Sequence, residues 1–118
     1  AFQNAFRFLG DKYKATFEYS ANYVELAEQS NQLKLLFSGD VDAVIMDINI
    51  FKFLLANKRK ESQTSQIYNK DFVTHFFFEP KAYKAGFKSK QLCQQFDQGI
   101  NAIIADGSYQ KILTKWQM

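Results

Sequence analysis

A carboxylate closes a short apolar stretch, GDVDAVIMD, at residues 39–47. Apolar residues fill the positions from Val41 to Met46, with Asp42 as the one exception, and the stretch stops at Asp47. An apolar run of this length predicts a parallel strand that is covered on both faces. Asp47 would then stand at the carboxyl end of that strand, which is the edge where ligands bind in open α/β sheets.

Asp47 also directly precedes a predicted helix, so a second role is open. An Asp at this position caps a helix by accepting hydrogen bonds from backbone N–H groups of the first turn. Both roles can coexist in one side chain, because a carboxylate has two oxygens. Asp42 is interpreted as a solvated turn residue.

The other side chains that could do chemistry form no catalytic or metal-binding pattern. His75 is the only histidine and Cys93 the only cysteine, so the sequence predicts neither a metal site nor an internal disulfide. We find no Ser, His and Asp arrangement typical of hydrolases and no phosphate-binding glycine loop. We therefore expect no enzymatic activity, no cofactor and no metal, and interpret His75 as a structural hydrogen-bonding residue.

The composition is that of a single folded domain. The chain has 118 residues, of which 47% are hydrophobic, 17% aromatic and 23% charged. A net charge of +3 without a concentrated basic stripe argues against nucleic acid as a partner. No stretch approaches the roughly 20 apolar residues of a membrane span, and residues 1–10 lack the pattern of a signal peptide.

Strands and helices alternate in the first half of the predicted fold. We expect three parallel strands at Ala1–Gln3, Thr16–Tyr19 and Ala43–Met46, and one antiparallel strand at Tyr83–Phe87. The spacing of apolar residues and caps predicts helices over Phe6–Tyr13, interrupted or capped near Gly10, over Tyr23–Ser38 and over Ile48–Lys60. Two C-terminal helices are predicted to begin after Ser89 and near Ser108. This order predicts an α/β fold with a parallel sheet flanked by helices.

Three segments carry a resemblance to a known family. They are LFSGDVDAVIMD (Leu36–Asp47), HFFFEPKAYKAGFKS (His75–Ser89) and INAIIADGSYQKILTKW (Ile100–Trp116). Together, in this order and spacing, they resemble the family 3 extracellular solute-binding proteins. These are type II periplasmic binding proteins, which typically bind polar amino acids for ABC importers. The resemblance covers nearly the whole chain.

The resemblance implies a lobe-like organisation. Residues 1–82 would correspond to lobe two of a solute-binding protein, and residues 83–118 to a return strand and C-terminal helices that dock on lobe one. Lobe one is absent from this chain. The implied partners are a small polar ligand such as an amino acid and, in the full-length protein, an ABC permease. The implied location is periplasmic or extracellular.

The resemblance also implies a ligand site. Asp47 matches the carboxylate that receives the ammonium group of the ligand, a charge-assisted contact. The loop that holds the ligand carboxylate in the family usually contains Gly-Thr or Gly-Ser, and Asn4 and Ala5 stand at the matching positions, followed by Phe6. The hydroxyl is therefore lost, but Asn can adopt the left-handed conformation of Gly, so we expect the turn to be retained.

Two other functions stay open. The same fold serves as the extracellular sensor of membrane signalling proteins, and a few dehydratases resemble it. A dehydratase would need an acid and a base, for which Asp47, Glu79 and His75 are the candidates. Because half of a two-lobed site is missing, we expect the isolated chain to bind amino acids weakly or not at all, and to expose an apolar surface that favours self-association.

Overall fold

Helices make up most of the regular structure. The computed structural model describes residues 1–61, 66–80 and 82–116. The helices are α1 (Phe6–Leu9), α2 (Asp11–Phe17), α3 (Gln29–Ser38), α4 (Ile48–Lys60), α5 (Lys90–Ala105) and α6 (Ser108–Trp116), with a 3₁₀ turn at Ile67–Asn69. The chain divides into two units, Ala1–Phe78 and Glu79–Met118. The interpretation of residues 1–82 and 83–118 as parts of a solute-binding protein stays a prediction.

The predicted α/β fold class, a type II periplasmic-binding-protein-like lobe with three parallel strands and one antiparallel strand, is wrong. The described residues form no sheet, and the fold is mostly helical. Strand-like pairing in this part of the chain is limited to an isolated parallel bridge between Phe2 and Leu26. In this bridge Leu26 N–H donates to Ala1 O and Gln3 N–H donates to Leu26 O, each at 2.9 Å. The first predicted strand is therefore reduced to one bridge.

The second predicted strand, Thr16–Tyr19, is replaced by the end of α2. Contacts between residues four apart favour a helix here. The rings of Tyr13 and Phe17 lie 4.9 Å apart, and Thr16 Oγ1 donates to Lys12 O at 2.9 Å. These local contacts outweigh the preference of Thr and Phe for strands, because strand preference depends on cross-strand neighbours that this segment does not have.

The third and fourth predicted strands, Ala43–Met46 and Tyr83–Phe87, form no regular element. No neighbouring strand in the described residues completes a ladder beside either segment. The carbonyl of Ile45 instead faces the side chain of Gln32, as described below. A segment with strand-like sequence becomes a strand only when a second backbone supplies its hydrogen bonds.

The helix predictions are largely confirmed. Helix α4 has the predicted bounds, and α5 begins directly after Ser89, whose Oγ accepts from Leu92 N–H at 3.1 Å. Helix α3 ends at Ser38, and Gly39 is its C-terminal cap, with a φ of 87° in the left-handed conformation that closes the last turn. Its start is later than predicted, because Leu26 belongs to the bridge with Phe2.

The core of the first unit lies where α3 and α4 meet the 3₁₀ turn. Its buried members are large apolar or aromatic side chains: Leu33, Phe37, Phe51, Leu55 and Tyr68. Two basic side chains donate hydrogen bonds to backbone carbonyls beside this core. Arg59 Nε donates to Tyr68 O at 2.8 Å, and Lys70 Nζ donates to Phe37 O at 3.1 Å near the end of α3. Basic side chains at helix C-termini satisfy carbonyls that lack a helical partner.

The second unit contains α5 and α6. Gly107, with a φ of 79°, stands between the two helices, and Asp106 Oδ1 accepts from Ser108 N–H at 2.8 Å at the start of α6. Both helices leave large apolar side chains exposed, among them Leu92, Phe96, Ile104 and Ile112. Within the described part of the chain, none of the helices is both long enough and apolar enough to cross a membrane.

Gln32 on α3 is the one polar side chain that is buried in the described residues. With its amide oriented to match its neighbours, Oε1 accepts from Phe2 N–H at 3.1 Å and Nε2 donates to Ile45 O at 3.3 Å. One side chain thus binds the backbone of two extended segments. It provides the hydrogen bonds that a neighbouring strand would otherwise supply.

The substitution Gln32→Met tests this role. It keeps a similar shape and removes both hydrogen bonds, which leaves the N–H of Phe2 and the C=O of Ile45, two half-buried residues, without these partners. Each such group costs roughly 1–3 kcal/mol, so we expect the free energy of unfolding to fall by about 2 kcal/mol or more. Urea unfolding followed by far-ultraviolet circular dichroism measures the change, because the single tryptophan lies in the other unit.

Lys34→Met is the matched control for this substitution. Lys34 is exposed on the same helix, and we expect its replacement to change the free energy of unfolding by no more than about 0.5 kcal/mol. Equal losses in the two variants would show that the Gln32 amide does not join the two segments.

Candidate functional site

Asp47 caps α4, as predicted. Its Oδ1 accepts hydrogen bonds from Asn49 N–H at 2.8 Å and from Ile50 N–H at 3.2 Å. The side chain is half-buried, and within the described residues no donor reaches its other oxygen, Oδ2. The cap therefore uses one oxygen and fixes the orientation of the carboxylate. The second oxygen remains available to an external donor.

Asn4 adopts the left-handed conformation, with a φ of 61°, which confirms the predicted turn. Its backbone N–H donates to Glu25 Oε2 at 3.0 Å. Ala5 is fully buried and its N–H donates to Phe2 O at 3.2 Å. Phe6 is half-buried, and its ring stacks on Tyr23 with centroids 5.7 Å apart. The ligand-binding roles of Asn4, Ala5, Phe6 and Asp47 stay predictions.

Gln32 binds the backbone close to both the Asn4 turn and Asp47 in sequence. Phe2, whose N–H binds the Gln32 amide, precedes Asn4 by two residues, and Ile45, whose carbonyl binds the same amide, precedes Asp47 by two. Two residues of chain span at most about 7 Å. Each predicted site residue therefore follows, two residues along the chain, a residue whose backbone group is bound to Gln32.

Hydrogen bonds connect the hydroxyls of Tyr13 and Tyr23 to Glu25, which binds the backbone of Asn4. The hydroxyls of Tyr13 and Tyr23 are 2.8 Å apart, and Tyr23 Oη donates to Glu25 Oε1 at 3.0 Å. A tyrosine hydroxyl has a single proton, so Tyr13 must donate to Tyr23. Both oxygens of Glu25 are then occupied, one by the Tyr23 hydroxyl and the other by Asn4 N–H.

Aromatic rings pack against the rings of these two tyrosines. The ring centroid of Tyr13 is 5.6 Å from that of Phe78 and 5.4 Å from that of Phe6. The ring of Phe17 stacks on that of Tyr23 with centroids 5.7 Å apart. Burial among these rings, followed by the hydrogen bonds with Tyr13 and Glu25, raises the pKa of Tyr23 well above its ordinary value. Burial is also the main reason that the pKa of Tyr13 is raised. Both hydroxyls stay protonated at neutral pH.

The remaining residues that could do chemistry are not brought together. His75 is exposed in the irregular segment 71–77, and Cys93 is half-buried on α5, where its Sγ lies 3.9 Å from Asp97 Oδ2. Across the described ranges, no three His, Cys, Asp or Glu residues are grouped so that they could hold a metal ion.

Gln32, Glu25 and Tyr23 were not predicted as contributors to this region. The spacing of Gln32, Leu33, Leu36 and Phe37 places the glutamine within the buried stripe of α3, so a polar residue on an apolar face was the available signal. Tyr23 and Glu25 are two residues apart, which puts both on one side of an extended segment. Their link to Asn4 depends on the Phe2–Leu26 bridge, which local sequence does not reveal.

Comparison of the chain with models of protein families, with curated proteins and with solved structures finds no match. The likeness to solute-binding proteins therefore rests on the three sequence segments quoted above.

Two replacements of Asp47 distinguish the stabilisation that its helix cap provides from the stabilisation that its charge provides. Asp47→Asn keeps an oxygen that can accept from Asn49 and Ile50, so we expect the free energy of unfolding to change by less than about 0.5 kcal/mol. Asp47→Ala removes the cap and should cost about 1 kcal/mol. Urea unfolding followed by circular dichroism measures both. Equal losses in the two variants would mean that the charge of Asp47, and not its cap, stabilises α4.

The raised pKa of Tyr23 predicts a loss of stability at alkaline pH. The folded state holds the Tyr23 proton more tightly than the unfolded chain, whose tyrosines ionise near pH 10. This stabilisation is complete below about pH 10 and declines as the pH rises above that value. We expect the free energy of unfolding to fall less steeply with pH in Tyr23→Phe than in the wild type.

Tyr19→Phe is the control for the pH dependence, because Tyr19 is 90% exposed. It should keep the wild-type slope of stability against pH above about pH 10. A Tyr23→Phe variant with the wild-type slope would contradict the assigned role of the Tyr23 proton.

Proposed function

We propose that this chain is a ligand-binding module, part of a solute-binding protein for a small polar metabolite with a cationic group, such as an amino acid. In this proposal the full-length protein is periplasmic or extracellular and delivers its ligand to an ABC permease. The resemblance of the three sequence segments supports the transport role.

The geometry of Asp47 is the observation that carries the proposal. The N-terminus of α4 holds one carboxylate oxygen with two N–H groups, at 2.8 and 3.2 Å, and leaves the other oxygen without a donor from the described residues. An ammonium group has three donors and a positive charge, which suits a fixed and half-buried carboxylate. Because the cap already orients the side chain, a ligand would not have to order it.

The Asn4 turn supplies the second group of contacts in the proposed site. Asn4 is exposed, and its side-chain amide can donate to a ligand carboxylate, which only accepts hydrogen bonds. The half-buried Phe6 ring offers an apolar surface beside it. Ala5 is buried and its N–H is already bonded to Phe2 O, so its contribution would be to shape the turn.

Nuclear magnetic resonance of the 118-residue chain tests the proposal. L-alanine and methylammonium both carry a cation, whereas N-acetylglycine keeps a carboxylate but has no ammonium group. We expect the two cationic probes to shift the amide resonances of Asn49 and Ile50 with dissociation constants of about 1 mM or weaker. N-acetylglycine should leave these two resonances unchanged.

Variants of two neighbouring aspartates provide the control. Loss of one charge-assisted contact costs on the order of 1.5–3 kcal/mol, so Asp47→Asn should weaken binding by roughly 10- to 100-fold. Asp42→Asn removes the same charge from an exposed position and should bind like the wild type. If the cationic probes shift Asn49 and Ile50 equally in the wild type and in Asp47→Asn, the proposed function is wrong.

A further inference from the structure

Helices α5 and α6 separate apolar from polar residues more sharply than α3 and α4 do. Helices α3 and α4 bury part of their apolar residues in the core of the first unit. No residue of α5 or α6 is buried, although each helix carries an apolar face. In an amphipathic helix this face is the part that packs against another surface. The contact between α5 and α6 therefore leaves both apolar faces largely exposed.

Six large side chains form what we call the apolar surface of the second unit. They are spaced by three, four or eight residues within each helix, which places them on one side of that helix. Each is between 41% and 54% exposed: Leu92, Phe96, Ile104, Tyr109, Ile112 and Trp116. The ring of Phe87 lies 5.0 Å from that of Phe96 and extends this surface. Exposed apolar groups of this size, collected on two adjoining helices, indicate an interaction surface.

The positive charge of the protein is concentrated in the same unit. Residues 79–118 contain six lysines and three acidic residues, so they account for the whole net charge of +3. The charges of residues 1–78 balance. Two of the six lysines, Lys111 and Lys115, are exposed and lie about one turn apart on α6. The second unit therefore combines an apolar surface with an excess of positive charge.

The lysines of α6 lie beside the apolar surface. Lys111 directly precedes Ile112, and Lys115 directly precedes Trp116. The Nζ atom of Lys115 is 5.8 Å from the centroid of the Trp116 ring. Aromatic rings with neighbouring lysines are typical of protein surfaces at the edge of a bilayer, where the rings lie at headgroup level and the ammonium groups reach the lipid phosphates. This arrangement matches a surface that is both apolar and negatively charged.

We propose that α5 and α6 dock on the surface of an anionic lipid bilayer, with their apolar surface at headgroup level and Lys111 and Lys115 bound to lipid phosphates. Each helix lies parallel to the bilayer, because its polar face runs along its length. The inference does not rest on the proposed function.

Two protein surfaces compete with the bilayer as occupants of this face. One is the lobe that the sequence resemblance places against residues 83–118, and the other is a second copy of this chain. Protein interfaces are depleted in lysine, whereas anionic lipids attract it. The excess of lysine in residues 79–118 therefore favours the lipid surface.

Flotation of the 118-residue chain with lipid vesicles tests the inference. One set of vesicles contains equal parts of phosphatidylcholine and phosphatidylglycerol, and the other contains phosphatidylcholine alone. We expect the chain to float with the anionic vesicles and far less with the neutral ones. Emission from Trp116, the single tryptophan, should shift to shorter wavelengths with the anionic vesicles, because its ring leaves water. Added salt should weaken the binding by screening the charges.

Paired lysine variants locate the contribution of charge. Replacing both Lys111 and Lys115 with Gln should weaken binding to the anionic vesicles by roughly 10- to 30-fold. Replacing both Lys34 and Lys52 with Gln removes the same charge from exposed positions on α3 and α4. This control should bind within about twofold of the wild type, because the attraction acts only near the bilayer surface.

A second pair of variants locates the apolar contribution. Ile112→Asn replaces one member of the apolar surface with a polar residue and should weaken binding by roughly tenfold. Val73→Asn is the matched control, because Val73 is 80% exposed in the first unit, and it should bind like the wild type. Circular dichroism verifies the helix content of each variant. If Ile112→Asn does not fold, the lysine variants decide.

Four results would each overturn the inference. The first is a wild type that does not float with anionic vesicles. The second is equal flotation with neutral vesicles, which would show a face selected by apolar contact alone, as expected where a protein lobe covers it. The third is equal weakening in the two double-lysine variants. The fourth is a dimer in which vesicles leave the Trp116 emission unchanged, because a second copy would then cover the face.

Discussion

The amide of Gln32 is the interaction on which the arrangement of the first unit depends. A buried amide is costly unless both its donor and its acceptor are satisfied, and here they are satisfied by Phe2 N–H and Ile45 O. This requirement joins two extended segments, around Phe2 and around Ile45, to one side chain of α3. It also explains how strand-like sequences can be ordered without a sheet, because one side chain satisfies backbone groups that a neighbouring strand would otherwise bind.

Sequence predicted the helices well and the strands badly, for different physical reasons. Helix α4 is specified by contacts within its own length, namely the Asp47 cap and apolar residues three and four apart, and both signals can be read locally. A strand depends on a second segment. Thr16 and Phe17 have strand-favouring side chains, but with no adjacent strand their local contacts produced the end of α2.

The same distinction applies to the candidate site. Asp47 as a helix cap and Asn4 in a left-handed turn follow from the identity of each residue and its neighbours, and both were predicted. The partnership of Asn4 with Glu25 was not, because it joins residues that meet only through the pairing of Phe2 with Leu26. Sequence thus identified groups that could contact a ligand. The groups that orient them required the three-dimensional structure.

The two sides of the site differ in how they are anchored, and this has a consequence for their motion. Asp47 begins a helix of thirteen residues that contributes Phe51 and Leu55 to the core. Asn4 belongs to a segment held by a single bridge, the Gln32 amide and Glu25. Segments with few hydrogen bonds open at a lower free energy than core helices. Amide hydrogen exchange should therefore be faster at Gln3 and Asn4 than at Phe51. The Asp47 carboxylate would stay in place while the Asn4 turn opens and closes.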